Sequence, residues 1–308
     1  MISTGDFMEQ ARRRMALGQM EGAIESLCSA LASDPEHTEA HALLALCLLS
    51  QRRLHAAARE AQLALANDPM SFLGHYSSAS VAMAQRQFKR AERHILQLLE
   101  LDPGSARVRC MQASLYELTG RRAQVLPTLQ QALSLAPEDP EVLAELADAY
   151  RLQGDLGAAE QYATQALRLR PGYRAAIVVM GHVHLRRGEL REARHHALWA
   201  LSDDANDVHA LFLLSAIKAR ANPLLGLWWR YNSWMAELGP TRSMVVLLVM
   251  FVVYRVAVIS CAATGHPLLA QGIDWAWLGL VIYTFIGPQI FRQSLEKERA
   301  KVRLSRDF

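Results

Sequence analysis

A chain of 308 residues, 51% of them hydrophobic, has room for two ordinary domains and more apolar matter than a soluble core alone requires. Its net charge of +3 is carried by Arg, with Lys only at Lys89, Lys218, Lys297 and Lys301. Arg and Glu interleave along the first 220 residues instead of clustering, which argues against a nucleic-acid footprint.

Residues 1–19 lack the apolar run of a secretory signal. Cys28, Cys47, Cys110 and Cys261 have no metal-like spacing and read as small buried hydrophobes in a reducing compartment. The first two-thirds of the chain is therefore expected in the cytoplasm, and the Arg-, Ala- and Leu-rich composition points to a bacterial source.

From residue 4 a 34-residue beat begins, marked by Pro35, Pro69, Pro103, Pro137 and Pro171, with Ala205 in the sixth place. On that register small residues recur within the first helix at Ala11, Ala45, Ala79, Ala113, Ala147 and Gly181. Two further sets fall in the second helix, at Ala23, Ala57, Ala91, Val125, Ala159 and Ala193 and at Ala30, Ala64, Leu98, Ala132, Ala166 and Ala200. Small side chains there let antiparallel helices approach closely, and Gly18, Gly120, Gly154 and Gly188 suit the turn between them. The closing proline stops the second helix.

The pattern resembles the tetratricopeptide repeat over residues 4–222. It departs at the family's aromatic position, which is Phe7 in the first unit but His41, His75 and Arg109 in the next three, and at Pro127, inside a helix. The resemblance implies an all-α, right-handed superhelical solenoid of units 4–37, 38–71, 72–105, 106–139, 140–173 and 174–207, with a terminal helix at 208–220, in a domain spanning 1–221. It further implies a groove lined by the first helices, at positions 2, 5, 9, 12 and 13 of each unit. Those positions hold Met8, Arg12, Met15, Leu46, Leu49, Leu73, Tyr76, Ser80 and Met83 in the first three units, an apolar face suited to a partner's apolar or amphipathic helix. In later units they hold Arg107, Ser114, Glu117, Glu141, Asp148, Arg151 and His182, a mixed face. The alternative is that superhelical twist buries some of these between neighbouring units. The Lys and Asn set with which some family members clamp a terminal carboxylate is missing.

Asn222-Pro223 ends the repeats, and residues 222–240 read as an amphipathic helix at a membrane interface, with Trp228, Trp229, Tyr231 and Trp234 as anchors, or as a cap on the last solenoid face. Residues 243–263 are long enough to span a bilayer and carry one charge, Arg255. Residues 273–291 form a second span, with Trp275 and Trp277 at its start, after a loop free of Lys and Arg. The basic tail at 292–308 and Arg242 then place both ends of this transmembrane hairpin in the cytoplasm, at a bacterial inner membrane. Arg255 is expected to face Tyr283 or Thr284, or an acidic group in a partner subunit, or to snorkel.

No phosphate-binding glycine loop, HExxH, GxSxG or paired-carboxylate pattern stands out, so neither catalysis nor a cofactor is expected. His182, His184, His195 and His196 fall on different faces in the repeat register, which disfavours a metal site. The expectation is a membrane-anchored interaction scaffold or assembly factor that binds protein and lipid but no nucleic acid. The alternative is a structural subunit of a transport or respiratory complex in which Arg255 works and the solenoid docks.

Overall fold

The computed structural model describes residues 4–203, 207–221, 244–246, 248–261, 263, 268–269, 271–275 and 277–278, and among them there is no strand. They fall in two compact units, Met1–Pro171 and Gly172–Phe308. The first unit holds ten helices: α1 (Thr4–Ala16), α2 (Met20–Ser33), α3 (Thr38–Ser50), α4 (Leu54–Asn67), α5 (Phe72–Ala84), α6 (Phe88–Leu101), α7 (Ala106–Leu118), α8 (Arg122–Leu135), α9 (Pro140–Gln153) and α10 (Leu156–Leu169). Each odd-numbered helix packs on the next to make a hairpin, each second helix touches the hairpin that follows, and α3 meets α5 as α7 meets α9. This is a helical solenoid. The second unit contains α11 (Arg174–Arg187), α12 (Leu190–Asp203) and α13 (Val208–Ala221), which pack on one another, and the apolar helix Met244–Cys261.

The small-residue register is what lets the hairpins close. Ala11, Ala45, Ala79 and Ala147 are wholly buried, as are Ala23, Ala57, Ala91, Ala159 and Ala193, and Ala30, Ala64, Leu98, Ala132 and Ala166. With methyl groups at the crossing points the helix backbones come close enough for Leu27, Ile95, Leu129 and Leu146 to fill the space on either side. The sixth unit goes further: a Cβ added at Gly181 of α11 would lie 2.3 Å from Leu213 Cδ2 of α13, so this crossing admits only glycine without a shift.

Between hairpins, Asp34, Asp68 and Asp102 explain their place before proline. Their Oδ1 atoms accept from the N–H of Glu36, Met70 and Gly104, at 3.4, 3.0 and 3.1 Å, forming Asx turns in the linker. The backbone before each proline is extended, with φ near −140 at Asp34, Asp68, Ala136 and Arg170, as the following ring requires. Ser71 and Asp155 then cap α5 and α10 through the N–H of Gly74 and Ala158.

His41 and His75, which stand where the repeat pattern has an aromatic, bridge linker to hairpin. The Nε2 of His41 lies 2.9 Å from the Pro35 carbonyl and its Nδ1 2.7 Å from Glu60 Oε2. His75 repeats the arrangement with the Pro69 carbonyl at 3.0 Å and His94 Nδ1 at 3.0 Å. Hydrogen bonds here take the place of an apolar ring. Pro127 leaves α8 continuous, since the helix runs from Arg122 to Leu135 with the proline at an exposed position.

Within every hairpin the turn has one residue in the left-handed region: Gly18, Gly120, Gly154 and Gly188 at φ between 73 and 92, but Arg52 and Arg86 at 59 and 58. The same pair of hydrogen bonds closes each turn, as where Gly154 donates to the Arg151 carbonyl and Asp155 to the Tyr150 carbonyl. Nothing would touch a Cβ at the four glycines, so the demand is on φ alone. A non-glycine residue pays roughly 1–2 kcal/mol for that conformation, offset in part by the larger unfolded-state entropy of glycine. Arg86→Gly is accordingly expected to stabilise the protein by about 0.5–1 kcal/mol, and Gly154→Ala to destabilise it by a similar amount. Urea unfolding followed by circular dichroism would show the two midpoints moving in opposite directions.

Candidate functional site: an inner-helix cavity

The first helices of the hairpins present the residues expected to line a groove, and the structure divides them. Met8 is only 3% exposed and joins Ala11, Ala23, Leu27 and Leu43 in the core of the first two hairpins, so it lies beneath the surface it was expected to form. Arg12 is exposed and pairs with Glu39 of the next unit at 2.6 Å. Met15, Leu46, Leu49 and Leu73 are half-buried, each packed against that same core. Tyr76 and Met83 are also half-buried, and these two reach a cavity.

That cavity, of about 280 Å³, is built from three successive inner helices. Helix α5 supplies Tyr76, Ser80 and Met83; α7 supplies Arg107, Cys110, Met111 and Ser114; α9 supplies Glu141 and Glu145. Tyr76, Ser80, Met83, Arg107, Ser114 and Glu141 occupy register positions 2, 5, 9 and 12, where lining was expected. Cys110, Met111 and Glu145 were missed. Cys110 holds the expected position 5 but reads in the sequence as a buried hydrophobe, and Met111 and Glu145 sit at position 6, beside the expected stripe. A signal was present for Glu145: it is the one acid in a run of Val142, Leu143, Ala144, Leu146 and Ala147, all of them buried.

The electrostatics of this face are dominated by carboxylates. Arg107 donates to Glu141 Oε2 at 3.1 Å, tying the fourth unit to the fifth at the same register position. Arg151 donates to Asp148 at 2.6 Å. Glu145 is left over, and burial, reinforced by Asp148, Glu141 and Glu117, pushes its carboxyl up to about 7. Burial likewise raises Glu117, with Asp148 adding to the effect and Arg151 opposing it. The Cys110 thiol is pushed up to about 12 by burial and stays protonated, which removes it as a nucleophile. The Ser80 and Ser114 hydroxyls donate to carbonyls of their own helices, Tyr76 at 2.9 Å and Cys110 at 3.1 Å.

In the second unit His184 pairs with Glu189 at 2.5 Å and stacks on the half-buried His196, whose imidazole is pushed down to about 4 by desolvation and by His184 and His195. Arg255 is exposed on the helix Met244–Cys261. Beside it Tyr254 donates to Asp274 at 2.5 Å and stacks on Trp277, while Trp275 is 66% exposed. Trp228, Trp229, Tyr231, Trp234, Tyr283 and Thr284 lie outside the described residues, as do the interfacial helix expected at 222–240, most of the second span and the basic tail.

Residues 8–71 and 110–174 match the family model of the tetratricopeptide repeat. Over those two stretches the hairpins match the tetratricopeptide repeat. The second matched stretch supplies α7 and α9, two of the three walls of the cavity. Among solved structures, a tetratricopeptide repeat protein from Parabacteroides merdae is similar over 70% of this chain and 84% of its own, at 18% identity and a TM-score of 0.60. The APC/C hetero-tetramer Cut9-Hcn1 is similar over 70% of this chain, at 15% identity and a TM-score of 0.58, but this chain spans only 43% of that one. At such identities the likeness is one of fold. No curated protein matches the sequence significantly.

Raising Glu145 from the ordinary 4.5 to about 7 means that between those values the folded protein holds a proton the unfolded chain has released. Stability from this group is therefore full at the acid end of the window and falls as pH rises through it. Glu145→Gln is expected to raise the melting temperature at pH 8 by roughly 2–4 °C, with most of the gain gone at pH 4.5. Thermal melts at the two pH values check this, and an equal gain at both would assign the effect to packing rather than charge.

Proposed function

We propose that this protein is a non-catalytic, membrane-anchored interaction scaffold, an adaptor or assembly factor whose repeats hold a segment of a protein partner along their inner helices. The observation that carries the reading is the cavity shared by α5, α7 and α9, because residues of three units spaced 34 residues apart line one depression. Toward the amino terminus the half-buried Met15, Leu46, Leu49 and Leu73 continue the same face as an apolar strip, suited to an amphipathic helix. The similar fold in the Cut9-Hcn1 hetero-tetramer belongs to a protein assembly.

Anchoring rests on the helix Met244–Cys261, which is long and apolar enough to cross a bilayer and most of whose described residues are exposed. A core helix of a soluble domain would be packed over. Together with the sequence of 273–291 and the basic tail, it supports a hairpin with both ends in the cytoplasm at a bacterial inner membrane. A second reading, in which the membrane part works as a complex subunit, draws on Arg255, an exposed cation in the middle of this apolar helix.

A photoreactive side chain placed in the full-length protein at Leu49 or Met83 is expected to capture the partner in cells, whereas one at the outer-helix position Gln130 is not. Capture from Gln130 alone would overturn the groove reading. In inverted membrane vesicles, added protease is expected to digest the repeats; protection there, with cleavage from the opposite face, would overturn the cytoplasmic placement.

A further inference from the structure

Glu145 is placed at odds with its chemistry. Its neighbours along α9 on both sides are buried apolar residues, while Glu145 itself is half-buried and lines the cavity. Among the described residues it makes no hydrogen bond and no ion pair. The charges that act on it most are Asp148, Glu141 and Glu117, all of its own sign. The nearby cations are committed elsewhere, Arg107 to Glu141 and Arg151 to Asp148. The Ser80 and Ser114 hydroxyls of the cavity donate to carbonyls of their own helices and not to it. A half-buried carboxyl among like charges and without a partner is costly to ionise, and a cation brought to it from outside would lower that cost.

Resting on the groove reading above, we propose that the cavity receives a basic side chain, arginine foremost, projected by the partner segment. Glu141 and Glu145 are four residues apart on one helix face, roughly 5–6 Å between Cβ atoms, a spacing that the planar fork of a guanidinium spans. Met83 and Met111 offer adaptable apolar surface to the side-chain stem, and the Tyr76 ring offers a face to the cation. Size points the same way: about 280 Å³ falls below the roughly 300–1,000 Å³ of small-molecule sites and suits a single long side chain. Charge complementarity thus selects a basic partner segment over an acidic one or a free terminal carboxylate, either of which would add a further like charge.

The test uses full-length protein in detergent, panned against a displayed library of random twelve-residue peptides at pH 8. Selected peptides are expected to share an Arg or Lys. In a synthetic copy, replacing that residue with its uncharged counterpart, citrulline for arginine, weakens binding roughly tenfold or more. Glu145→Gln weakens the parent peptide by a similar factor yet binds the citrulline peptide as the unaltered protein does, the signature of a direct pair. A melt of this variant at pH 8, expected to be no lower than the parent's, separates lost binding from lost folding. Peptides that compete at the groove, as shown by their sensitivity to Tyr76→Ala, but carry no basic residue and ignore Glu145→Gln would overturn the inference and leave the groove intact. Selection of no peptide, or only of peptides indifferent to Tyr76→Ala, would overturn the groove reading and this inference with it.

Discussion

Everything described depends on how closely two helices can approach at a crossing occupied by a methyl group. The alanines at the three small positions are buried in all the hairpins, and one glycine crossing is tighter still. A close crossing brings the first helices of successive hairpins into contact, and the 34-residue period then decides which of their residues meet. Tyr76 and Met83, Arg107 and Met111, and Glu141 and Glu145 are far apart along the chain yet share one cavity for that reason. Function, on this view, is a by-product of register: no loop is specialised, and the site is assembled from ordinary turns of ordinary helices.

A carboxyl without a partner sits in the middle of that arrangement. Its position combines two opposing demands, since the fold would be better served by a neutral side chain while recognition of a cation needs the charge. The pairs Arg107–Glu141 and Arg151–Asp148 satisfy other acids on the same face and so sharpen the contrast. Proteins commonly carry such locally unfavourable groups where they bind, and stability elsewhere offsets them.

Much of this could be read in the amino-acid sequence, for physical reasons that differ from residue to residue. The prolines and the small positions were legible because they act locally: a ring fixes φ, a methyl permits an approach, and neither needs knowledge of the neighbours. Seven of the nine cavity residues stand at register positions 2, 5, 9 and 12, although Cys110, at position 5, reads in the sequence as a buried hydrophobe. Glu145 and Met111 were not, since position 6 lies at the edge of the inner face and only the packing of α7 against α9 turns it toward the cavity. Met8 was misplaced in the opposite direction, because α2 and α3 together cover a position that lines the surface further along. Arg52 and Arg86 hid the positive φ that glycine advertises in four other turns. Toward the C-terminus, length and apolarity identified the helix Met244–Cys261, but neither reports what Arg255 meets.

His41 and His75 stand in the sequence as departures from an aromatic position, and in the structure as hydrogen-bonded joints to the Pro35 and Pro69 carbonyls. An aromatic ring in that place would hold linker to hairpin by releasing water from apolar surface, a force that weakens on cooling and carries a large heat-capacity change. A joint made of hydrogen bonds lacks that temperature signature. The second and third units are therefore fastened by a linkage that keeps its strength in the cold, in an array whose other contacts are mostly apolar, so the balance of rigidity along the solenoid shifts toward these two units as temperature falls.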